Sequence, residues 1–392
     1  MEAVIRLKPR KERPVRLGHP WIFSGAIADL DPSIEPGTPA VLHSADGEYL
    51  GRGYVNPRCA IAVRLLTRND EPVDAGFFQR RVAAAVELRR AVVPPDTDAY
   101  RVINGEGDFL PGVVADRYGP IIVVQCLTAG AARFKPHIVE ALRVTLAPAG
   151  IYERSAGAVR REEGLKPEEG VLAGDVPGEP LLVRECGQRF MVDLRGGQKT
   201  GFFLDQRDNR ALVRRLATDR VVFNGFAYTG GFGVYAGAGG ARQVVSVESS
   251  ARSLELARAN WVCNDLPASA GELVEADVFR YLRDIDRTFD LLILDPPALV
   301  KRRQEVERGA RAYKDLHLWA FRRATPGALV LTFSCSQHVS RELFWKIVHG
   351  AAIDAGRAVQ VLRHLGAGPD HPVALAHAEG EYLKGLLLRV CA

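Results

Sequence analysis

Several residues in the second half of the chain have types that do chemistry, and each stands at the end of an apolar run. Glu248 follows Val244-Val245-Ser246-Val247, and Asp277 lies in Glu275–Phe279, which reads as a strand tip. Asp295 closes the run Phe289–Leu294, and Cys335 lies just beyond Ala328–Phe333, between Ser334 and Ser336. Ahead of them all, Tyr228-Thr229-Gly230-Gly231 breaks the chain after Val221-Val222-Phe223. Short apolar runs rich in β-branched residues suit buried parallel strands. In an open parallel sheet the residues after each strand gather at one edge, where ligands bind. A glycine turn there lets backbone N–H groups approach a ligand, and an acid on the next strand accepts hydrogen bonds from ribose hydroxyls. No GxGxxG follows the first strand. Acids at two strand tips, then Asp-Pro-Pro and a cysteine, fit S-adenosylmethionine better than a dinucleotide. The pattern predicts a methyltransferase core, with Phe226, Tyr228, Thr229, Gly230, Glu248, Asp277 and Asp295 around the cofactor.

The elements that must hold these residues fit a soluble α/β protein. The 392 residues leave room for two or three domains, and 47% hydrophobic with 25% charged residues is ordinary globular composition. No apolar run approaches the ~20 residues that cross a bilayer, and the start at Met1-Glu2-Ala3 is unlike a signal peptide. Six cysteines without any CxxC predict neither a disulfide framework nor a metal site, and a reducing cytoplasm. The net charge of +5 is mild and carried mostly by arginine, which suits phosphate but can also reflect genome composition. Residues 1–72 read as a small β-barrel with a basic entry segment, Lys8, Arg10, Lys11, Arg13 and Arg16. Residues 73–190 read as a middle α/β domain opening on an Asp74-capped helix, Ala75–Val92. Within it the charged, glycine-bearing stretch 162–178 reads as a surface loop. Residues 191–392 form the Rossmann-like domain. Just before its first strand, Gln206 and Arg207 are placed near the amino-acid end of the cofactor, with Asp205 as a helix cap. The glycines at 237, 239 and 240 predict a short helix after the first strand.

Longer blocks carry a family resemblance. GHPWIFSGAI, INGEGDFLPGVVADRYG, GQKTGFFLDQRDNR, NGFAYTGGFGVYA, LDPPALVK, RAYKDLHLWAF, LTFSCS and DHPVALAHAEGEYLKG resemble the RlmI family of large-subunit ribosomal RNA methyltransferases. The likeness covers essentially the whole chain. It implies an N-terminal PUA domain, a middle α/β domain and a C-terminal Rossmann-like methyltransferase domain. It also implies S-adenosylmethionine-dependent methylation of cytosine C5 in 23S ribosomal RNA.

Carbon 5 of cytosine is a weak nucleophile, so this reaction needs covalent activation at C6. Cys335 is the nucleophile this chemistry asks for, although a cysteine on an apolar strand is more often core than catalyst. Asp295 is the group that would carry a proton at N3. The wider class of RNA cytosine-C5 methyltransferases places a second cysteine after the Asp-Pro pair, where this chain has Pro297-Ala298. Lys199 and Lys301 join the basic segment as RNA-binding candidates. The expected partner is 23S ribosomal RNA or a large-subunit assembly intermediate, and a homodimer is admitted. Two other readings stay open: methylation of a guanine nitrogen, which needs no cysteine, and a non-catalytic RNA-binding assembly factor.

Overall fold

The computed structural model describes residues 2–197 and 200–391. The chain forms two compact units, one of Met1–Val183, Asp193–Leu204 and Pro369–Gly380, the other of Arg184–Val192, Asp205–Gly368 and Glu381–Ala392.

The first unit contains two sheets. The N-terminal sheet runs in the order Ala3–Arg6, Thr38–His43, Tyr49–Val55, Ile61–Thr67, Trp21–Phe23. A bridge between Leu7 and Ile27 links its two ends, giving the barrel expected of such short strands. Ile5, Leu42, Val55 and Val63 fill its interior. The second sheet places Glu168–Gly174, Gly150–Ser155, Ile121–Cys126, Val113–Tyr118 and Ala99–Asn104 side by side. The helix Ala75–Val92 packs Phe77, Phe78, Val82 and Val86 into the same core, and the Asp74 carboxylate accepts a hydrogen bond from the Phe77 N–H. The stretch 162–178 is a correction: it supplies the edge strand Glu168–Gly174, antiparallel to Gly150–Ser155. Its charges and glycines suit an edge that faces water on one side, which is why they resemble a loop.

The second unit is built on a seven-stranded sheet. Its strands are β1 (Val221–Gly225), β2 (Gln243–Glu248), β3 (Gly271–Glu275), β4 (Phe289–Leu294), β5 (Ala324–Ser334), β6 (Val359–Leu365) and β7 (Lys384–Val390). They lie in the order β3-β2-β1-β4-β5-β7-β6, with β1 to β5 parallel and β7 antiparallel to both its neighbours. Alternate residues serve alternate faces, as the two-residue period of a strand requires. Phe223, Val245, Leu292, Leu294 and Val330 enter one core, and Val222, Val244, Leu291, Ile293 and Leu331 the other. Helices cover both faces: α1 (Gly231–Ala238), α2 (Ala251–Cys263), α3 (Val278–Asp284), α4 (Val306–Arg323) and α5 (Arg341–Asp354). As the glycines predict, α1 stops at Ala238. A hairpin turning at Cys186-Gly187, both with positive φ, leads into this unit. Beyond that turn, Arg210 on the helix Arg207–Leu216 makes a two-pronged ion pair with the buried Glu185 carboxylate, at 2.8 and 2.6 Å.

Candidate active site

Register fixes the edge of the sheet. Gly225 pairs with Val247 and Leu294, and Leu294 with Thr332, so the chain leaves β1, β2, β4 and β5 along one row. Phe226, Glu248 and Asp295 follow that row directly, and Cys335 lies three residues past Thr332.

The loop after β1 is unusual. Phe226 and Tyr228 have φ of 58° and 48°, a left-handed conformation that costs energy in non-glycine residues and clusters at functional sites. Gly230 has φ 78°, and a Cβ there would meet the Ala257 Cβ at 3.0 Å, so the position has neither the conformation nor the space for a side chain. Glu248 holds this loop. Its Oε2 accepts from the Tyr228 N–H at 2.9 Å, while Oε1 accepts from the Ser249 and Ser250 N–H groups at 2.8 and 3.0 Å. The buried Asn260 donates to the Thr229 carbonyl at 2.8 Å. Thr229 is itself buried, and its Oγ1 has no hydrogen-bond partner. Asp277 is exposed and caps α3, accepting from the Arg280 N–H at 2.9 Å.

The other half of the site is built by serines. Ser334 Oγ donates to the Tyr313 hydroxyl at 2.9 Å, and the Ser336 hydroxyl lies 3.1 Å from the same oxygen. Ser336 Oγ also accepts from the Val300 N–H at 3.2 Å, which ties the segment after Asp295-Pro296-Pro297 to the end of β5. With both serines turned toward Tyr313 in one core, Cys335 packs against the opposite core and stays half-buried, as does Asp295. Sequence reading passed over Lys384. It opens β7 opposite Ser334, is only 5% exposed, and donates to the Ser336 carbonyl at 2.8 Å. Burial lowers its pKa, and the neighbouring Cys335 sulfur pulls the other way. Only strand pairing brings it to the cysteine, so the available signal was its place in the block DHPVALAHAEGEYLKG.

On α4, packed beneath β5, the fully buried His317 is pushed down to a pKa of about 4 by desolvation. Its Nδ1 lies 2.6 Å from the Tyr313 carbonyl and so carries the hydrogen, which leaves Nε2 to accept from the Thr332 hydroxyl at 2.7 Å. His338 is exposed.

Two family models match the chain: a PUA-like domain over residues 5–68 and an S-adenosylmethionine-dependent methyltransferase over residues 133–324. Ribosomal RNA large subunit methyltransferase I of Cronobacter sakazakii is 40% identical over 395 residues, covering 100% of both chains. The protein of the same name from Pseudoalteromonas atlantica is 43% identical, again over 100% of both. This chain belongs to that family. Among solved structures, an S-adenosylmethionine-dependent methyltransferase from Streptococcus mutans shares the fold at 24% identity and a TM-score of 0.85, covering 99% of this chain and 100% of its own. A methyltransferase complexed with SAH gives the same TM-score and identity, with 100% of each chain covered.

As a member of this family the protein is an S-adenosylmethionine-dependent methyltransferase, and the residues present fit that cofactor. The loop 226–230 presents backbone and an orphaned buried hydroxyl, Thr229 Oγ1, at the sheet edge. Glu248 Oε2 has acceptor capacity left after one hydrogen bond from Tyr228. Gln206 and Arg207 are buried where the helix Arg207–Leu216 begins. Gln206 accepts from Asn209, which also donates to the Gly366 carbonyl, and Arg207 Nε lies 3.2 Å from Asp208. The expected Asp205 cap is a correction: its carboxylate instead accepts from the Tyr382 hydroxyl at 2.5 Å, and no side chain caps that helix. The basic candidates Lys8, Arg10, Lys11, Arg13 and Arg16 are all exposed, but Arg16 is paired with Glu48. Lys301 is exposed in the second unit, and Lys199 lies outside the described residues.

Proposed function

We propose that this ribosomal RNA methyltransferase methylates carbon 5 of one cytosine in 23S ribosomal RNA, after Cys335 adds to C6 of the base. The observation that carries this reading is the half-buried Cys335 at the end of β5, with Lys384 opposite its neighbour Ser334.

Bound in the crevice, the cofactor supplies a methyl group made electrophilic by its sulfonium. Phe226, Tyr228, Thr229, Gly230, Glu248 and Asp277 are the residues we assign to its adenosine side, and Gln206, Arg207 and Asp295 to the remainder. Cys335 acts as the thiolate, the form in which a cysteine is nucleophilic. The ammonium of Lys384 favours that form. As the S–C6 bond forms, the C5–C6 π pair is pushed toward C5 and N3, and a proton shared with Asp295 neutralises N3. Once C5 carries the methyl group, a base takes the C5 proton, the C5–C6 double bond re-forms and the thiolate leaves. Asp295 then recovers its proton. A guanine nitrogen would need none of this. The target base must be flipped out or single-stranded, because C6 is shielded in a stack.

The exposed cations of residues 8–13 are proposed to contact RNA phosphates from the PUA-like module. The division into 1–72, 73–190 and 191–392 fits such a division of labour. Naked 23S RNA and an assembly intermediate are both suitable substrates, and a homodimer and a cytoplasmic location are part of the same reading. Among the described residues no helix is long and apolar enough to cross a membrane.

The test is methyl transfer to unmodified 23S RNA, followed by nucleoside mass spectrometry. Wild type should yield 5-methylcytidine and Cys335→Ser none, with cofactor affinity unchanged. A methylated guanine, or equal yield from both proteins, would overturn the proposal.

A further inference from the structure

His19 meets His377 and Glu379, far from it in sequence, within the first unit and outside the proposed methyl-transfer chemistry. One donor atom from each lies within 4.8 Å of the other two. His19 Nε2 is 3.5 Å from Glu379 Oε1, and His377 Nδ1 is 3.2 Å from Glu379 Oε2. A tetrahedral ion with ligand bonds of ~2.0–2.1 Å separates its donor atoms by roughly 3.3–3.4 Å, and each histidine lies near that distance from one of the two Glu379 oxygens.

His377 is 3% exposed, and its Nδ1 makes no hydrogen bond although the carboxylate lies beside it. A buried polar nitrogen left this way is costly unless something else satisfies it. The surroundings hold both rings in place. The Trp21 ring packs edge-on against His377 with centroids 4.3 Å apart, and the Trp21 indole N–H donates to Glu106 at 2.8 Å. His19 Nδ1 lies 3.3 Å from the Trp21 carbonyl oxygen. Donation to that carbonyl leaves the Nε2 lone pair facing Glu379, the support a ligating histidine usually has. The Trp21 N–H is 3.2 Å from the same Nδ1, so the metal-free protein can hold the other tautomer, and an ion would select between them.

We propose that His19, His377 and Glu379 bind a divalent transition-metal ion of the zinc class. Two imidazoles and a carboxylate are an N/O donor set that such ions take readily. The fourth position is left to water, on the side where Glu379 is about half exposed. The ion would fasten the segment Pro369–Gly380 to the N-terminal module; the second sheet and its helix already hold the same segment, Arg89 donating to the Asp370 carbonyl and Asn104 to that of Pro372.

The experiment uses the full chain, stripped with chelator, and Co2+ as the probe. Wild type should bind one equivalent with the visible bands of tetrahedral cobalt, and its melting temperature should rise with the metal. His377→Gln and Glu379→Gln should each lose at least tenfold in affinity while melting, in chelator, where stripped wild type melts. That comparison separates lost ligation from lost folding. Absence of stoichiometric binding by wild type overturns the proposal. So does equal binding by His377→Gln, or thiolate-to-cobalt absorption, which would place the ion on cysteines. No outcome depends on methyl transfer.

Discussion

At the scale of single residues, the site rests on what surrounds one sulfur. Ser334 and Ser336 are spent on Tyr313, so the backbone presents Cys335 to the other side, and Lys384 sits across the strand pair. A buried cation beside a thiol stabilises the thiolate. Lys384→Gln is therefore expected to raise the Cys335 pKa, moving its pH profile of alkylation upward by about one unit and slowing methyl transfer roughly tenfold at neutral pH. Iodoacetamide kinetics, read by peptide mass spectrometry at Cys335, check this. An unmoved profile would detach Lys384 from the cysteine. Cys335 and Asp295 were legible in sequence because each follows an apolar run. Lys384 was not, since its role comes from a pairing between antiparallel strands about 50 residues apart (334 and 384). The triad His19, His377 and Glu379 was hidden for the same reason, with one histidine near each end of the chain.

At the scale of elements, the parallel strands announced themselves as apolar β-branched runs, and the helix Ala75–Val92 by its cap and apolar spacing. Glu168–Gly174 did not, because an edge strand with exposed acids and glycines has no buried periodicity to read. The join between α4 and β5 was also invisible. There His317 bridges Tyr313 and Thr332 as a neutral ring with a pKa of about 4. Its unfolded value is about 6.5. On acidification the unfolded chain therefore takes up this proton first. Stability is intact above about pH 6.5, falls as the pH drops toward 4, and levels off below that. For this residue alone the loss between about pH 7.5 and about pH 5 should be about 2 kcal/mol. Urea melts of wild type and His317→Gln at those two pH values test it. The variant should lack that part of the slope, and identical slopes would contradict a buried neutral imidazole.

At the scale of the whole molecule, the sequence blocks implied a barrel, a middle domain and a methyltransferase domain. They did not reveal that Pro369–Gly380 leaves the second unit for the first, since nothing in composition marks a chain that crosses and returns. The exposed cations Lys8, Arg10, Lys11 and Arg13 lie on the N-terminal module, whereas Arg16 has its charge met by Glu48. If the four contact phosphate, neutralising them together should flatten the plot of log affinity against log salt by about 0.7 per lost contact on single-stranded RNA. An unchanged slope in filter binding would move the RNA elsewhere. The central claim is the covalent bond between Cys335 and the target base, and it can be trapped. In RNA whose target cytosine carries fluorine at C5, no proton can leave that carbon after methylation, so the adduct should persist. We expect a protein–RNA conjugate that survives denaturation, maps by mass spectrometry to the Cys335 peptide, and is absent from Cys335→Ser. A wild-type enzyme that methylates normal RNA yet forms no conjugate, or a conjugate retained by Cys335→Ser, would contradict the account.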